Sequence, residues 1–163
     1  MNRSLLYFLK LYVLLLIFLT PVFALDIKDK DLAKNNPNSV FAEGLAQNPN
    51  FIVKDEDRDF VRKNLETKFT FNLAKNPNYI VREEDKALAK RNPDSRFAEG
   101  LVQNPSFDVS HEDREFAKSN PSTKFTEGLV KNPRYVVKET DREYARLNPS
   151  SKFSEGITKN STY

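Results

Sequence analysis

The chain contains no cysteine and a single histidine, His111. The missing cysteines exclude disulfides, thiolate nucleophiles and cysteine-based zinc sites, so a folded form must be held by packing alone. The lone histidine leaves general acid–base and metal chemistry without a constellation, because no serine, acid or second histidine is placed around it by motif. Long apolar runs are missing too. The longest, residues 11–19 (LYVLLLIFL), falls short of the ~20 residues a membrane-spanning helix needs. Nor is there an excess of one charge sign: 26 Lys+Arg face 23 Asp+Glu, interleaved along the chain. Without a basic stripe, nucleic acid is not an expected partner.

The short apolar run has its own meaning. It follows Arg3 and ends at Val22-Phe23-Ala24, which places compact residues at −3 and −1 of a cut after Ala24. Residues 1–24 therefore read as a cleavable secretory signal, with a retained anchor as the competing reading. Removing Arg3 and Lys10 with the signal leaves 24 basic against 23 acidic residues, so the basic balance largely disappears. The expected product is exported, to the periplasm or the extracellular space, with no stable membrane span.

What remains, residues 25–163, is one repeat domain. Five units follow each other without a gap: 26–53, 54–81, 82–109, 110–137 and 138–163, each of 28 residues except the last, which has 26. Four columns are invariant. Asp29, Asp57, Asp85, Asp113 and Asp141 form the first, and Asn36, Asn64, Asn92, Asn120 and Asn148 the second. Phe41, Phe69, Phe97, Phe125 and Phe153 form the third, and Asn48, Asn76, Asn104, Asn132 and Asn160 the fourth. Apolar columns run through Leu32/Phe60/Leu88/Phe116/Tyr144, Leu45/Leu73/Leu101/Leu129/Ile157 and Phe51/Tyr79/Phe107/Tyr135/Tyr163, with a small-residue column at Ala33/Val61/Ala89/Ala117/Ala145. The copies alternate: units one and three share 18 of 28 residues, and units two and four share 15. Duplication of a 56-residue pair accounts for this; two chemically distinct faces would be the functional account.

Unit 110–137 shows the expected local structure. Residues 111–119 carry acids early (Glu112, Asp113) and Lys118 late, which suits a helix dipole. Asn120-Pro121 ends that helix, because a residue before proline avoids the α region. Asn120 as N-cap and Pro121 at the first position would then open a second helix carrying Phe125, Leu129 and Val130 on one side. Gly128, which aligns with Gly44, Asn72, Gly100 and Gly156, suggests a left-handed residue closing a helix of about two turns. Arg134 to Val137 read as a short extended connector that packs inward. The predicted fold is mainly α, an array of short helices resembling an α-solenoid, in which stacked units bury what one unit cannot. The alternative is a largely disordered tandem repeat, given the high charge and the many prolines and asparagines.

Candidate sites are few. His111 stands in a column that otherwise holds Ile27, Asp55, Glu83 and Glu139, which is the pattern of an exposed helix start. Asp55, Asp57, Asp59 and Glu66 match calcium-loop positions 1, 3, 5 and 12, but Phe60 occupies the place of the required glycine. The Asp and Asn columns could form ligand-gripping ladders; capping and corner chemistry explains the same residue types. The aromatic columns read as core, or as repeated stickers for a partner if the chain is disordered. Asn160-Ser161-Thr162 fits a glycosylation sequon. No catalytic residue, cofactor site or metal site is assigned. The expected function is a non-enzymatic, exported module that binds a protein or polymer, or alternatively a disordered multivalent spacer that folds on binding.

Overall fold

The computed structural model describes residues 27–163, so residues 1–24, expected to be a signal, lie outside the described residues. Ten short helices and no strand make up the described part. The first helices of successive units are α1 (Ile27–Asn35), α3 (Asp55–Lys63), α5 (Glu83–Arg91), α7 (His111–Ser119) and α9 (Glu139–Leu147). The second helices are α2 (Val40–Gln47), α4 (Lys68–Lys75), α6 (Arg96–Val102), α8 (Lys124–Val130) and α10 (Lys152–Ile157). The helices pack in a regular, repeat-like array. Each second helix packs on the second helix before it, making one continuous row from α2 to α10, and first helices lie against the second helices of their own units. The disordered alternative is not the one the chain adopts.

The first helices of the second to fifth units, α3, α5, α7 and α9, start and stop by the same chemistry. The invariant aspartate stands at the third helical position and its carboxylate accepts the N-cap amide, as in Lys54 N–H to Asp57 at 3.0 Å and Ser110 N–H to Asp113 at 3.1 Å. Ser110 also accepts the Asp113 amide at 3.2 Å, which completes a reciprocal capping box in that unit. At the other end the first Asn column supplies the C-cap. Asn120 donates its side-chain amide to Phe116 O at 3.0 Å, and Asn64, Asn92 and Asn148 repeat the bond. These bonds satisfy carbonyls that a helix end leaves open.

Two local expectations are corrected. The second helix is not capped by the asparagine before proline. Its N-cap is the hydroxyl residue three positions later: Ser39, Thr67, Ser95, Thr123 and Ser151 each accept an amide of the first turn. Asn120 is already committed to ending α7, and its carbonyl receives the Thr123 hydroxyl at 3.1 Å. The glycine column is also not left-handed. No described glycine has positive φ, and Gly44, Gly100, Gly128 and Gly156 lie inside their helices. At Gly100, Gly128 and Gly156 glycine is required by close approach. A Cβ on Gly100 would come within 2.3 Å of Phe71 O, and one on Gly128 within 2.6 Å of Val102 Cγ2.

The core is a single apolar column running along the helix row. Phe69, Phe97, Phe125 and Phe153 are fully buried, as are Leu73, Leu101, Leu129 and Ile157. The irregular connectors contribute Phe51, Tyr79, Phe107 and Tyr135, also buried. Each connector aromatic meets the column phenylalanine of the following unit edge-on, with centroids 6.1 to 6.5 Å apart.

Candidate interaction surface and unit junctions

Of the three invariant polar columns, one caps the first helices and the other two join units. A cation on each first helix reaches forward to the aspartate of the next. Lys30 meets Asp57 at 2.8 Å, Arg58 meets Asp85 at 2.7 Å, and Arg114 meets Asp141 at 2.9 Å. Lys86 stands farther from Asp113, at 3.9 Å, and Lys90 takes that carboxylate at 2.6 Å. A second cation also serves Asp57 (Lys34, 2.7 Å) and Asp141 (Lys118, 3.1 Å). All four aspartates are almost wholly buried. Each forward-reaching cation also lies over the connector aromatic of its own unit, at 4.0 to 5.0 Å from the ring centroid. The connector carbonyls complete the site: Lys30 donates to Ile52 O at 2.6 Å and Arg58 to Ile80 O at 2.6 Å.

Burial opposes ionisation of Asp57, but donation from Lys30, Lys34 and the Lys54 amide outweighs it and holds the carboxyl below its usual range. Burial likewise pushes the Tyr79 and Tyr135 phenols well above their ordinary value, each with the neighbouring aspartate adding to the effect. Both stay neutral at any physiological pH.

The fourth column, asparagine again, ties the backbones together. Asn104 donates to Ala74 O at 2.7 Å, Asn76 O at 2.8 Å and Tyr79 O at 3.0 Å. Asn76, Asn132 and Asn160 reach back to the preceding unit in the same way, with shortest contacts of 2.8, 2.6 and 2.6 Å. The other end of each amide accepts the backbone N–H two residues on, fixing the corner. The sequon nitrogen of Asn160 is therefore already engaged with Val130 O and Tyr135 O.

The remaining candidates resolve simply. His111 is exposed at the start of α7. Asp55, Asp57 and Asp59 lie in the first turns of α3 rather than in a loop, Asp57 is taken by two lysines, and Asp59 pairs with Arg62 at 3.2 Å. Among the described residues no group of acids and histidine is arranged to hold a metal ion, and no helix is long and apolar enough to cross a membrane.

Sequence reasoning passed over the cations. Lys30, Arg58, Lys86, Arg114 and Arg142 are basic in all five units, as are Lys34, Arg62, Lys90, Lys118 and Arg146. A basic column set 27 residues before an invariant acid was the readable signal. A further polar column lies on the second helices: Gln47, Lys75, Gln103, Lys131 and Lys159 recur at one register position near the helix ends and form a strip. Gln47 bonds Asn72 at 2.9 Å, and the two border an open groove shared with Lys75, Asn76 and Pro77. Glutamates flank the strip: Glu127 meets Lys131 at 2.8 Å and Lys152 at 3.4 Å. Both bases hold the Glu127 carboxyl below its usual range, Lys131 most strongly. No protein-family model matches the chain, and no curated protein or solved structure matches it either. The class defined by fold and surface is an all-helical, repeat-like array of short helices.

Proposed function

We propose that the chain is an exported, non-enzymatic repeat protein: an α-solenoid-like stack of five 28-residue units that presents the second-helix strip to a protein or polymer partner. The observation that carries this reading is the division of labour among the repeated polar residues. Buried Asp and Asn columns join the units, while the Gln/Lys column stays at the surface in a fixed register. A row of amides and cations interleaved with glutamates suits a polar partner of mixed charge, and it lacks the uniform positive field that phosphate backbones require. A solenoid holds such a strip rigid, so weak contacts at successive units add through a shared register.

The test is co-purification of the full chain from its native host, beside a Lys75→Glu, Lys131→Glu double variant. Both lysines are exposed, so the variant should fold. Specific retention by the wild type and loss by the variant supports the strip. Equal retention removes the strip from the reading. Robust hydrolase or transferase turnover that disappears on His111→Ala would overturn the non-enzymatic assignment.

A further inference from the structure

The two outer faces of the described array differ from the interior junctions by what they leave unfilled, and the gaps match each other. At the leading face, Asp29 belongs to the acidic column, yet none of the described cations pairs with it, whereas Asp57, Asp85, Asp113 and Asp141 each hold one or two. Phe41 is 44% exposed, while Phe69, Phe97, Phe125 and Phe153 are at 0%. Gly44 has nothing within 4 Å, although Gly100, Gly128 and Gly156 lie tight against the preceding unit.

The trailing face shows the counterparts. Arg142 stands in the column of Lys30, Arg58, Lys86 and Arg114 and lies over Tyr163 at 5.4 Å, as they lie over their own aromatics. Among the described residues no aspartate of a following unit meets it, and it turns back to Glu139 at 3.3 Å. Tyr163 is 53% exposed, against 1% and 0% for Tyr79 and Tyr135.

The backbone carries the same complementarity. At all four interior junctions a proline carbonyl or its equivalent accepts the column phenylalanine amide of the next unit: Phe69 N–H to Pro37 O at 2.9 Å, Phe97 to Leu65 at 3.0 Å, Phe125 to Pro93 at 2.8 Å, and Phe153 to Pro121 at 2.9 Å. The Phe41 amide lacks such an acceptor and the Pro149 carbonyl lacks such a donor among the described residues. Charge, ring and hydrogen bond are therefore each left open once at either face, with opposite sense.

We propose that the occupant of each face is a second copy of this chain, stacked head to tail so that Arg142 of one copy meets Asp29 of the next and Phe41 closes over Tyr163. A junction of this kind is heterologous: its two surfaces differ and neither is used up by forming it, so copies add in series rather than closing as a pair. The junction repeats the contacts that already hold units together inside one chain. It uses the outer faces and not the second-helix strip, so it stands or falls independently of the proposed partner binding.

The experiment is sedimentation velocity on the purified full chain over a wide concentration range, with far-UV circular dichroism of each variant as the folding check. Wild type should grow in mass with concentration without stopping at a dimer. Asp29→Arg and Arg142→Asp alone should each weaken association by about a hundredfold or more, since each leaves a charge facing its like. The double variant Asp29→Arg, Arg142→Asp should restore growth, as should a mixture of the two single variants, because opposite charges meet again in both. A wild type that stays monomeric up to its solubility limit overturns the proposal, whatever then covers the two faces. Single variants that associate as well as wild type overturn it equally.

Discussion

Two of the junctions inside the array are built from lysine and phenylalanine, and two from arginine and tyrosine. After units one and three, Lys30 and Lys86 lie over Phe51 and Phe107, and a second lysine, Lys34 or Lys90, fills the other carboxylate oxygen of the next aspartate. After units two and four, Arg58 and Arg114 lie over Tyr79 and Tyr135, and one guanidinium bonds both the carboxylate and a connector carbonyl. Both kinds of cation reach a connector carbonyl, Lys30 at Ile52 O and Lys86 at Asp108 O, and Lys118 adds a second cation at Asp141. The difference is the planar guanidinium fork, which holds both acceptors at fixed angles, against the point charge of an ammonium. At Asp85 the oxygen left over goes to the Tyr79 hydroxyl at 3.0 Å. The 56-residue alternation is thus a matter of two equivalent solutions to one joint. Arg142 with Tyr163 keeps the same pairing even though the last unit breaks the alternation.

The sharpest way to break the comparison is to remove the acid. Asp85→Ala leaves a buried guanidinium that cannot lose its proton, and should cost about 3–5 kcal/mol in urea unfolding. Asp113→Ala should cost less, because Lys86 and Lys90 are more exposed and can turn to water or deprotonate. Equal losses would mean the two joints do not differ in kind. Next comes Gly128→Ala, where the added methyl meets Val102 and Glu99; thermal melts should report a loss of about 1–3 kcal/mol. Gly44→Ala, with open space around it, should instead gain up to about 1 kcal/mol.

Smaller effects separate the two arginine joints. Tyr79→Phe removes a bonded hydroxyl and should cost about 1 kcal/mol. Tyr135→Phe should cost under about 0.5 kcal/mol, since the Tyr135 hydroxyl has no hydrogen-bond partner in the structure. The smallest change at neutral pH concerns the lysine joint at Asp57. Its folded carboxyl titrates below the unfolded value of about 3.9, so its stabilisation is whole above that value and is lost as pH falls through the lower, folded one. Urea midpoints should be flat from pH 7 to about pH 5 and fall below about pH 4. Asp57→Asn should flatten part of that fall.

Much of this was readable from residues. The helix His111–Ser119 coincides with the span marked by Glu112, Asp113, Lys118 and Asn120-Pro121, because dipole and proline effects act within one helix. The Phe and Leu columns were core as their period implied, Phe41 excepted. The misreadings have one cause. Asn120 looked like an N-cap because asparagine and proline suit that role in isolation, yet Thr123 competed for it three residues on. Gly128 looked left-handed because glycine's freedom is visible locally, while Val102 of the preceding unit, which forbids a Cβ, is not. Asp113 and Asn104 were read as caps and corners. Half of each role was hidden because the cations and carbonyls they bind lie in the neighbouring unit.

The junction bonds have a consequence for how the chain finds its structure. The hydrogen-bonded partners that cross a junction lie 22 to 32 residues apart in sequence, for instance Arg62 with Glu84, Asn104 with Ala74 O and Phe125 with Pro93 O. Only short loops must close before such contacts form, and loop entropy grows slowly with length. Contact order is therefore low, and ordering can begin at any joint and spread one neighbour at a time. A nascent chain needs only two units clear of the ribosome to complete a first junction.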